Sequence, residues 1–454
     1  MCGPGSVVMK SSRFPLVLWS GVLVAPHLLL GATLEVGPGK RFERIEQANA
    51  AAREGDVVLV HPPANGAPYR AVSVSVNVPK VTFRGVPGSA GWRVGISGEG
   101  GDHSGIGRVP RAIFQFNPDA DGCVLEGFDL SGAHNASHNG AGVRIQSANA
   151  VTVRNCGIHH NDMGIMSNGD GGGTAGADQL IERCEIHHNG DFKEPGQNHN
   201  LYLGGAGVTL FGCEVHSSLT GHNVKSRAGF TAVIACHIHH SNNREFDLVD
   251  AAETERPGSD ALLAGNLIVK DPECSGNRAV IHFGQDGGKN HDGTLTLLNN
   301  TIVTPFLSPT VDLSAPGARV RLIGNIVADG GSGQRRMVLA AARNGADIAN
   351  ATGTGNRLAA GFDPLPQGVS RAANPATAAM EMFADPGRGD YHPREAAVSL
   401  TTGKDHGLAK LPIPAVCGMR DGKFTLVWEY QAPANAVPRK DGGAMPGAFA
   451  AKSR

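Results

Sequence analysis

One phrase recurs along this chain: Val151–Ile158 (VTVRNCGI), Gln179–Ile186 (QLIERCEI), Val208–Val215 (VTLFGCEV) and Thr231–Ile238 (TAVIACHI). Each copy ends in Cys-x-Ile or Cys-x-Val, so a cysteine returns every 23 to 29 residues. A short β-branched run at this period buries its apolar face only by stacking on neighbouring copies. The phrase therefore predicts an all-β solenoid in which each repeat forms one coil.

The cysteine of the phrase marks one interior slot per coil. The same slot holds Phe128, Cys156, Cys184, Cys213, Cys236, Asn266, Asn300 and Asn325. Stacked strands lie about 4.8 Å apart, so each slot residue is directly above the last. We therefore expect at least eight consecutive coils, with a column of buried, reduced thiols that gives way to asparagines.

Composition and charge limit the class of protein. Glycine accounts for 63 of 454 residues, aromatic residues for 5% and charged residues for 18%, which favours short strands joined by tight turns and excludes a long helical protein. The formal net charge is −1 and no basic stripe is present. No nucleic-acid partner is expected, because nothing would neutralise its phosphates.

The first residues predict export. A short basic region from Met9 through Arg13 precedes the largely apolar Phe14–Leu30, and a cleavage site follows at Ala32. Residues 1–32 are thus predicted to be a signal peptide, with a retained membrane anchor as the alternative. We expect a secreted or periplasmic mature chain without stable membrane insertion.

The two ends of the solenoid differ in sequence. Phe42, Ile45, Ala48 and Ala52 recur at helical spacing and predict a capping helix, followed by a first strand at Val57–Val60. Residues 85–110 are glycine-rich and predict a long loop. The predicted organisation is a β-helix with its N-terminal cap over residues 33–334, then terminal coils and an irregular segment packed on the helix over residues 335–454.

A family resemblance follows from these features. The stretch FERIEQANAAAREGDVVLV with the coils behind it resembles the right-handed parallel β-helix superfamily of pectate-lyase-like proteins over about residues 40–330, and FADPGRGDYHP resembles the ends of such chains. The resemblance implies a single-stranded right-handed parallel β-helix. Members include polysaccharide lyases, uronate epimerases, glycoside hydrolases and binding proteins, so fold alone leaves the activity open.

Site residues are expected on the second strand of each coil, where side chains alternate between interior and surface. With the apolar residues inward, one outward column consists of Met166, Tyr202, Lys225 and Asp247. A neighbouring outward column consists of Asn200, Asn223 and Glu245. Arg227 also faces outward, and the next strand brings His282 or Ile281 into this region. The turns that precede two of these strands carry His199 and His222.

This patch fits the chemistry of uronate elimination. Lys225 is predicted to be the base, with Arg227 lowering its pKa, and Tyr202 the acid or a second base. Arg227 and Asn223 would hold the substrate carboxylate. Substrate contacts are predicted for Asn200, Asn223, His199, His222 and His282. The predicted activity is β-elimination or C5 epimerisation of an acidic, uronate-containing polysaccharide, because return of the proton to the opposite face would epimerise the sugar.

Several alternatives remain open at this point. Glu245, Asp247 and Asp250 are predicted ligands of a Ca²⁺ ion, or Glu245 and Asp247 form the acid/base pair of an inverting glycoside hydrolase. A non-catalytic glycan-binding protein would use the same scaffold, and Lys-x-Arg on a strand also suits a solvated face. The repeated histidines predict stacking in successive turns. A zinc site is not predicted there, because no carboxylate or cysteine joins them at compact sequence spacing.

Overall fold

The computed structural model describes residues 1, 3, 31–88, 93–194, 196–255, 259–287, 291–333, 335–372, 379–394, 408–420, 423–440 and 447–450. The predicted signal peptide, residues 1–32, lies almost entirely outside these ranges. In the described part of the chain, none of the helices has the length and apolar character needed to span a bilayer.

The chain winds into a right-handed parallel β-helix with three strands in a typical coil. In chain order the strands of the helix are β1 (Thr33–Val36), β2 (Val57–Val60), β3 (Val74–Val76), β4 (Thr82–Gly85), β5 (Val94–Ser97), β6 (Ala112–Phe116), β7 (Val124–Glu126), β8 (Phe128–Ser131), β9 (Ala141–Gln146), β10 (Thr152–Arg154), β11 (Gly157–His159), β12 (Met163–Asn168), β13 (Gln179–Glu182), β14 (Glu185–His187), β15 (Leu201–Leu203), β16 (Gly207–Phe211), β17 (Glu214–His216), β18 (Val224–Ser226), β19 (Phe230–Ile234), β20 (His237–His239), β21 (Phe246–Val249), β22 (Ala261–Ala264), β23 (Leu267–Val269), β24 (Ile281–Gly284), β25 (Thr294–Leu298), β26 (Thr301–Thr304), β27 (Val311–Leu313), β28 (Arg319–Ile323), β29 (Ile326–Asp329), β30 (Ala340–Ala342), β31 (Ala351–Leu358) and β32 (Gly368–Arg371).

The strands form the faces of the solenoid. Two faces join into one 22-stranded sheet, and the third is a separate 10-stranded parallel sheet that consists of β3, β6, β9, β12, β15, β18, β21, β24, β27 and β30. The outward side of this ten-stranded sheet is called the groove face below. Its inward side packs the apolar core, which runs without a break from Leu34 to Val369.

The N-terminal helix is shorter than the sequence indicates. Helix α1 (Ile45–Ala51) buries Ile45 and Ala48 against the first coil. Phe42 lies outside the helix and forms a β-bridge with Val36. The first strand is β1, before the helix, so the prediction that Val57–Val60 begins the coils was wrong. Residues 85–110 also contain a strand, β5, where a continuous loop was predicted.

Beyond residue 334 the coils continue through β30, β31 and β32. In the described part of the C-terminal segment, three antiparallel strand pairs follow, built from β33 (Phe383–Asp385), β34 (Asp390–Pro393), β35 (Met419–Arg420), β36 (Lys423–Phe424), β37 (Trp428–Gln431) and β38 (Asn435–Pro438). Short 3-10 turns lie at Ile348–Asn350, Met380–Met382, Pro386–Arg388, Leu408–Lys410 and Ala415–Cys417. The segment packs Leu408, Ile413 and Leu426 on the outer surface of the coils.

The predicted interior slot is confirmed. Cys156, Cys184, Cys213 and Cys236 are fully buried and form no disulfide. The column continues through Asn266, Asn300, Asn325 and Asn356, and each of the first three amides donates to the next amide oxygen along the helix. A buried amide thus finds one partner in each neighbouring coil, which satisfies polar groups that burial would otherwise penalise.

A second buried ladder occupies the corner before the groove face. It runs from Asn161 through Asn189, Asn200 and Asn223 to Glu245, with side-chain contacts of 2.6–3.1 Å between successive members. All five are fully buried. The prediction that Asn200, Asn223 and Glu245 face outward was therefore wrong. They precede the strands, at a corner where strand alternation does not apply.

The histidine row forms stacks, as predicted. The rings of His159, His187, His216 and His239 lie 4.8–5.0 Å apart in successive coils. Burial, together with the neighbouring imidazoles, lowers the pKa of His187 to about 3, of His216 to about 4 and of His239 to about 3. The rings of His187, His216 and His239 are therefore neutral at pH 7.

We expect the β-helix to lose stability as the pH falls from about 6.5 towards 4. In that window the unfolded chain binds protons that the stacked histidines cannot take up, so acid favours unfolding. Glu245, whose pKa burial raises to about 7, opposes this trend. Melting temperatures measured between pH 6.5 and 4 give the net dependence of stability on pH. In a His216→Gln variant the melting temperature is expected to fall less steeply with decreasing pH, and an unchanged dependence would contradict the prediction.

The asparagine column should be more costly to interrupt than the cysteine column. Asn300 donates to Leu263 O and Asn325 Oδ1 and accepts from Asn266. Asn300→Ala leaves these buried partners unsatisfied, with an expected loss of about 3 kcal/mol in the free energy of unfolding. Cys213→Ala, the matched control, should cost about 1 kcal/mol. Urea unfolding of both variants measures the difference, and equal losses would contradict it.

Candidate functional site

One outward column crosses the groove face. Strand register aligns Met166, Tyr202, Lys225, Asp247 and His282 on successive strands from β12 to β24. The predicted column is thus confirmed, and of the two candidates on β24 it is His282 that joins it. Because these positions are on strands, the column is held more firmly than a loop would hold it.

Asp247 lies at the centre of a buried charge cluster. Its Oδ1 accepts from His282 Nδ1 at 2.7 Å and from Arg244 Nη1 at 3.2 Å. Its Oδ2 lies 3.3 Å from Lys225 Nζ and 3.5 Å from His222 Nε2. Burial would raise the pKa of Asp247, but the charges and hydrogen bonds of these neighbours outweigh it and hold the pKa well below its usual range.

His199 and His222 form one wall of this cluster. Their rings stack at 5.0 Å, and the Nδ1 of each accepts a backbone N–H of the next coil, from His222 and Arg244 respectively. Burial lowers both pKa values, that of His222 to about 4, so both rings are neutral at pH 7. In the neutral rings the proton is then on Nε2, the nitrogen that in His222 is turned to Asp247.

Lys225 and Arg227 converge on one carboxylate that sequence reasoning missed. Asp286 Oδ2 accepts from Lys225 Nζ at 2.7 Å and from Arg227 Nη2. The carboxylate is about one third exposed at the groove surface. Asp286 follows β24 in a short segment (QDG) whose sequence reads only as loop, and its backbone N–H donates to Asp250. No local pattern would have assigned it to the site.

Tyr202 completes this part of the column. Its ring lies 5.5 Å from Lys225 Nζ, 5.4 Å from Arg227 Cζ and 5.3 Å from the His199 ring, which meets it edge-on. Cations over the ring face are attracted by its quadrupole. The predicted trio of Tyr202, Lys225 and Arg227 is therefore brought together.

These side chains surround a pocket of about 380 Å³. Four basic side chains face it against two carboxylates, a formal charge of +2. The pocket is lined by Gly196, Gln197, His199, Tyr202, His222, Lys225, Arg227, Asn243, Arg244, Asp247, Asn277, His282, Gln285, Asp286 and Arg343. Gly196 and Gln197 belong to the segment that connects β14 to β15.

A second, larger pocket of about 760 Å³ lies on the same face towards the N-terminus. Arg108, Arg111 and Arg144 line it, and none of its described lining residues is acidic. Burial, with the nearby Arg111, lowers the pKa of Arg144. Arg144 occupies the outward column one strand before Met166. The groove face is thus cationic over several coils.

His282 has the contacts of a Ser-His-Asp triad. Its Nδ1 meets Asp247, and its Nε2 lies 2.6 Å from Ser314 Oγ and 3.0 Å from Arg343 Nη2. Because a guanidinium only donates, His282 Nε2 accepts and its Nδ1–H donates to Asp247. Ser314 is fully buried, so its hydroxyl is not reachable from the groove. The contacts with Asp247, Ser314 and Arg343 therefore orient the His282 ring, and Ser314 does not act as a nucleophile.

Two predicted uses of the carboxylates fail on geometry. Glu245 is fully buried, 3.8 Å from the equally buried Lys270 Nζ, and accepts from Ser241 N and Asn223. It therefore joins neither Asp247 and Asp250 in a calcium site nor Asp247 in a glycosidase pair. For the same reason Asn200 and Asn223 do not contact a ligand in the groove.

Comparison with known proteins gives matches among solved structures only. No family model matches this chain, and no curated protein matches it. Pectate lyase Pel9A is 14% identical, covering 90% of this chain and 91% of that chain with a TM-score of 0.44. Pectin methylesterase PemA from Erwinia chrysanthemi is 9% identical over 71% and 92%, TM-score 0.36. GH136 lacto-N-biosidase from Eubacterium ramulus is 14% identical over 72% and 67%, TM-score 0.37.

Asp247 should contribute to stability through its charge. Asp247→Asn keeps the side-chain shape but leaves the Lys225 and Arg244 cations without this buried partner, so we expect a loss of about 3–5 kcal/mol in unfolding free energy. The matched control is Asp312→Asn, since Asp312 pairs with the half-exposed Arg343 and should cost about 1 kcal/mol. Chemical denaturation measures both, and similar losses would contradict this assignment.

Proposed function

We propose that the groove face binds an acidic, uronate-containing polysaccharide and acts on it by removing the proton α to the sugar carboxylate. The observation that carries the proposal is the convergence of Lys225 and Arg227 on one carboxylate oxygen beside Tyr202. A uronate carboxylate that took the place of Asp286 would meet the same two cations. Charged donors of this kind bind carboxylates more strongly than neutral donors do.

The distribution of charge supports a polymer rather than a single sugar. Arg144 is three strands from Lys225 in the outward column, about 14 Å at the usual strand spacing. A polyanion lying along the solenoid axis would therefore place separate carboxylates at the arginine pocket and at the Lys225–Arg227 pair. An exported chain would meet such polysaccharides outside the cell, in agreement with the predicted signal peptide.

The roles within the reaction differ in one respect from those expected from sequence. Lys225 Nζ lies 3.3 Å from Asp247 Oδ2 and 2.7 Å from Asp286 Oδ2, so the side chain is positioned to pair with carboxylates. We therefore assign Lys225, with Arg227, to holding the substrate carboxylate and stabilising the enolate that forms when the α proton leaves. Tyr202 is assigned the proton transfer.

Elimination and epimerisation share this enolate. In elimination the leaving oxygen departs from the carbon adjacent to the α carbon of the enolate and takes up a proton, which leaves an unsaturated sugar. In epimerisation a proton returns to the opposite face of the same carbon. His282, oriented by Asp247, and the neutral rings of His199 and His222 are the further groups near the pocket that could exchange a proton.

The test is an absorbance assay for unsaturated sugar on a panel of uronate polysaccharides, with product analysis by NMR for epimerisation. Tyr202→Phe should lower turnover by about 10²-fold or more. Lys225→Met should lower it by a similar factor, whereas Lys225→Arg, which keeps the cation, should retain part of the activity. Lys80→Met, on an exposed lysine paired with Glu54, is the matched control.

The outcomes separate the alternatives. An inactive Lys225→Arg with an active Tyr202→Phe would assign the base to Lys225 and overturn the roles given above. Binding of a polyuronate without turnover, weakened in Lys225→Met, would instead identify a glycan-binding protein. If the protein neither binds nor turns over any polyuronate of the panel, the proposal is refuted.

A further inference from the structure

A cluster outside the groove combines two histidines with a carboxylate. Glu214 on β17 pairs in register with His237 on β20, and His239 follows two residues later on the same side of that strand. The cluster lies on a different face of the solenoid, beneath Tyr430 of the C-terminal hairpin. The proposed reaction uses none of these side chains.

The ligand atoms are close enough to share one ion. Glu214 Oε1 lies 3.2 Å from His239 Nε2 and 3.5 Å from His237 Nδ1, and all three ligand atoms lie within 4.8 Å of one another. Ligands bound tetrahedrally at about 2.0–2.2 Å are separated by about 3.3–3.6 Å, so the two distances from Glu214 suit a zinc-like ion. The side chains are 15–17% exposed, which leaves a path for an ion and for water as a further ligand.

The surroundings resemble the outer shell of a metal site. The Tyr430 hydroxyl donates to the other carboxylate oxygen, Glu214 Oε2, at 2.7 Å. His239 Nδ1 lies 2.7 Å from His240 Nδ1, a contact through which His239 can donate its proton and keep the Nε2 lone pair for the ion. Such partners orient ligands and raise their affinity.

A similar trio one coil earlier provides an internal comparison. Glu185 and His216 lie one coil before Glu214 and His239, while the third member, His187, lies on the same strand as Glu185, with its Nε2 4.0 Å from that carboxylate. Arg93 already donates to Glu185 at 3.2 Å and supplies the positive charge that an ion would bring. Among the described residues, no arginine or lysine lies within salt-bridge distance of Glu214. The Glu214 trio therefore has no cation of its own in the role that Arg93 takes beside Glu185.

We infer that Glu214, His237 and His239 bind one divalent transition-metal ion of the zinc class, and that the ion fastens the C-terminal hairpin to the coils through Tyr430. Two imidazoles and a carboxylate are a ligand set that zinc accepts. The sequence did not predict a zinc site here, because no carboxylate was found to join these histidines at compact sequence spacing; in the structure Glu214, from the adjacent coil, lies beside two of them.

The experiment uses the full chain without a polyhistidine tag, freed of metal by chelation. Zn²⁺ is titrated by calorimetry, and Co²⁺ is added as a spectroscopic probe of the ligand set. We expect one ion per chain and a rise in melting temperature. Glu214→Gln and His237→Gln should each weaken binding at least about tenfold, and Tyr430→Phe by about 10-fold. His187→Gln, in the comparison trio, should bind as the parent does.

Circular dichroism and melting of the metal-free variants check that each still folds. The inference is overturned if Zn²⁺ fails to bind in a defined stoichiometry. It is equally overturned if Glu214→Gln and His237→Gln, while folded, bind as tightly as the parent. Loss of binding in His187→Gln alone would place the ion at the other trio and also contradict it.

Discussion

The hydrogen bonds between buried side chains of successive coils are the constraint on which the rest of this structure depends. Parallel strand pairing by itself tolerates slippage, and a slip of one residue would turn every outward side chain inward. The corner ladder prevents it. Asn223, bonded to Asn200 on one side and Glu245 on the other, immediately precedes β18 and so keeps Val224 inside and Lys225 outside.

Electrostatics on the groove face follow from that register. A buried carboxylate, Asp247, is surrounded by a lysine, an arginine and histidines, while Asp286 covers the outer side of the lysine. Removing the carboxylate of Asp247 or of Asp286 would leave a partly buried cation without that partner, so the charges of the cluster stabilise one another. The result is a set of donors already oriented towards a carboxylate, that of Asp286.

The repeat period predicts correctly which side chains on the strands face inward or outward. It gives no information on residues beyond the ends of the strands, and there the predictions were wrong or missing. The Cys-x-Ile phrase identifies the interior slot, and alternation from Leu201 correctly turns Tyr202 outward. Extending alternation one residue back, to Asn200, misplaced a corner residue because β15 begins only at Leu201. Asp286 and Arg343 arrive from a loop and a distant coil, so no local pattern marks them. Glu214 could have been found by aligning one coil with the next, since it stands 23 residues before His237.

The corner ladder also bears on how such a protein can change. Between Asn189 and Asn200 an insertion of the chain leaves and returns, yet the two amides still bond at 2.9 Å. Lengthening a loop costs little, about 0.6 kcal/mol for each doubling, when its ends are already anchored. Insertions that leave the chain at this corner can therefore be exchanged one at a time, while the outward column of side chains on the groove face stays in place. A solenoid of this kind can acquire a new specificity by altering loop length alone, without redesigning its chemistry.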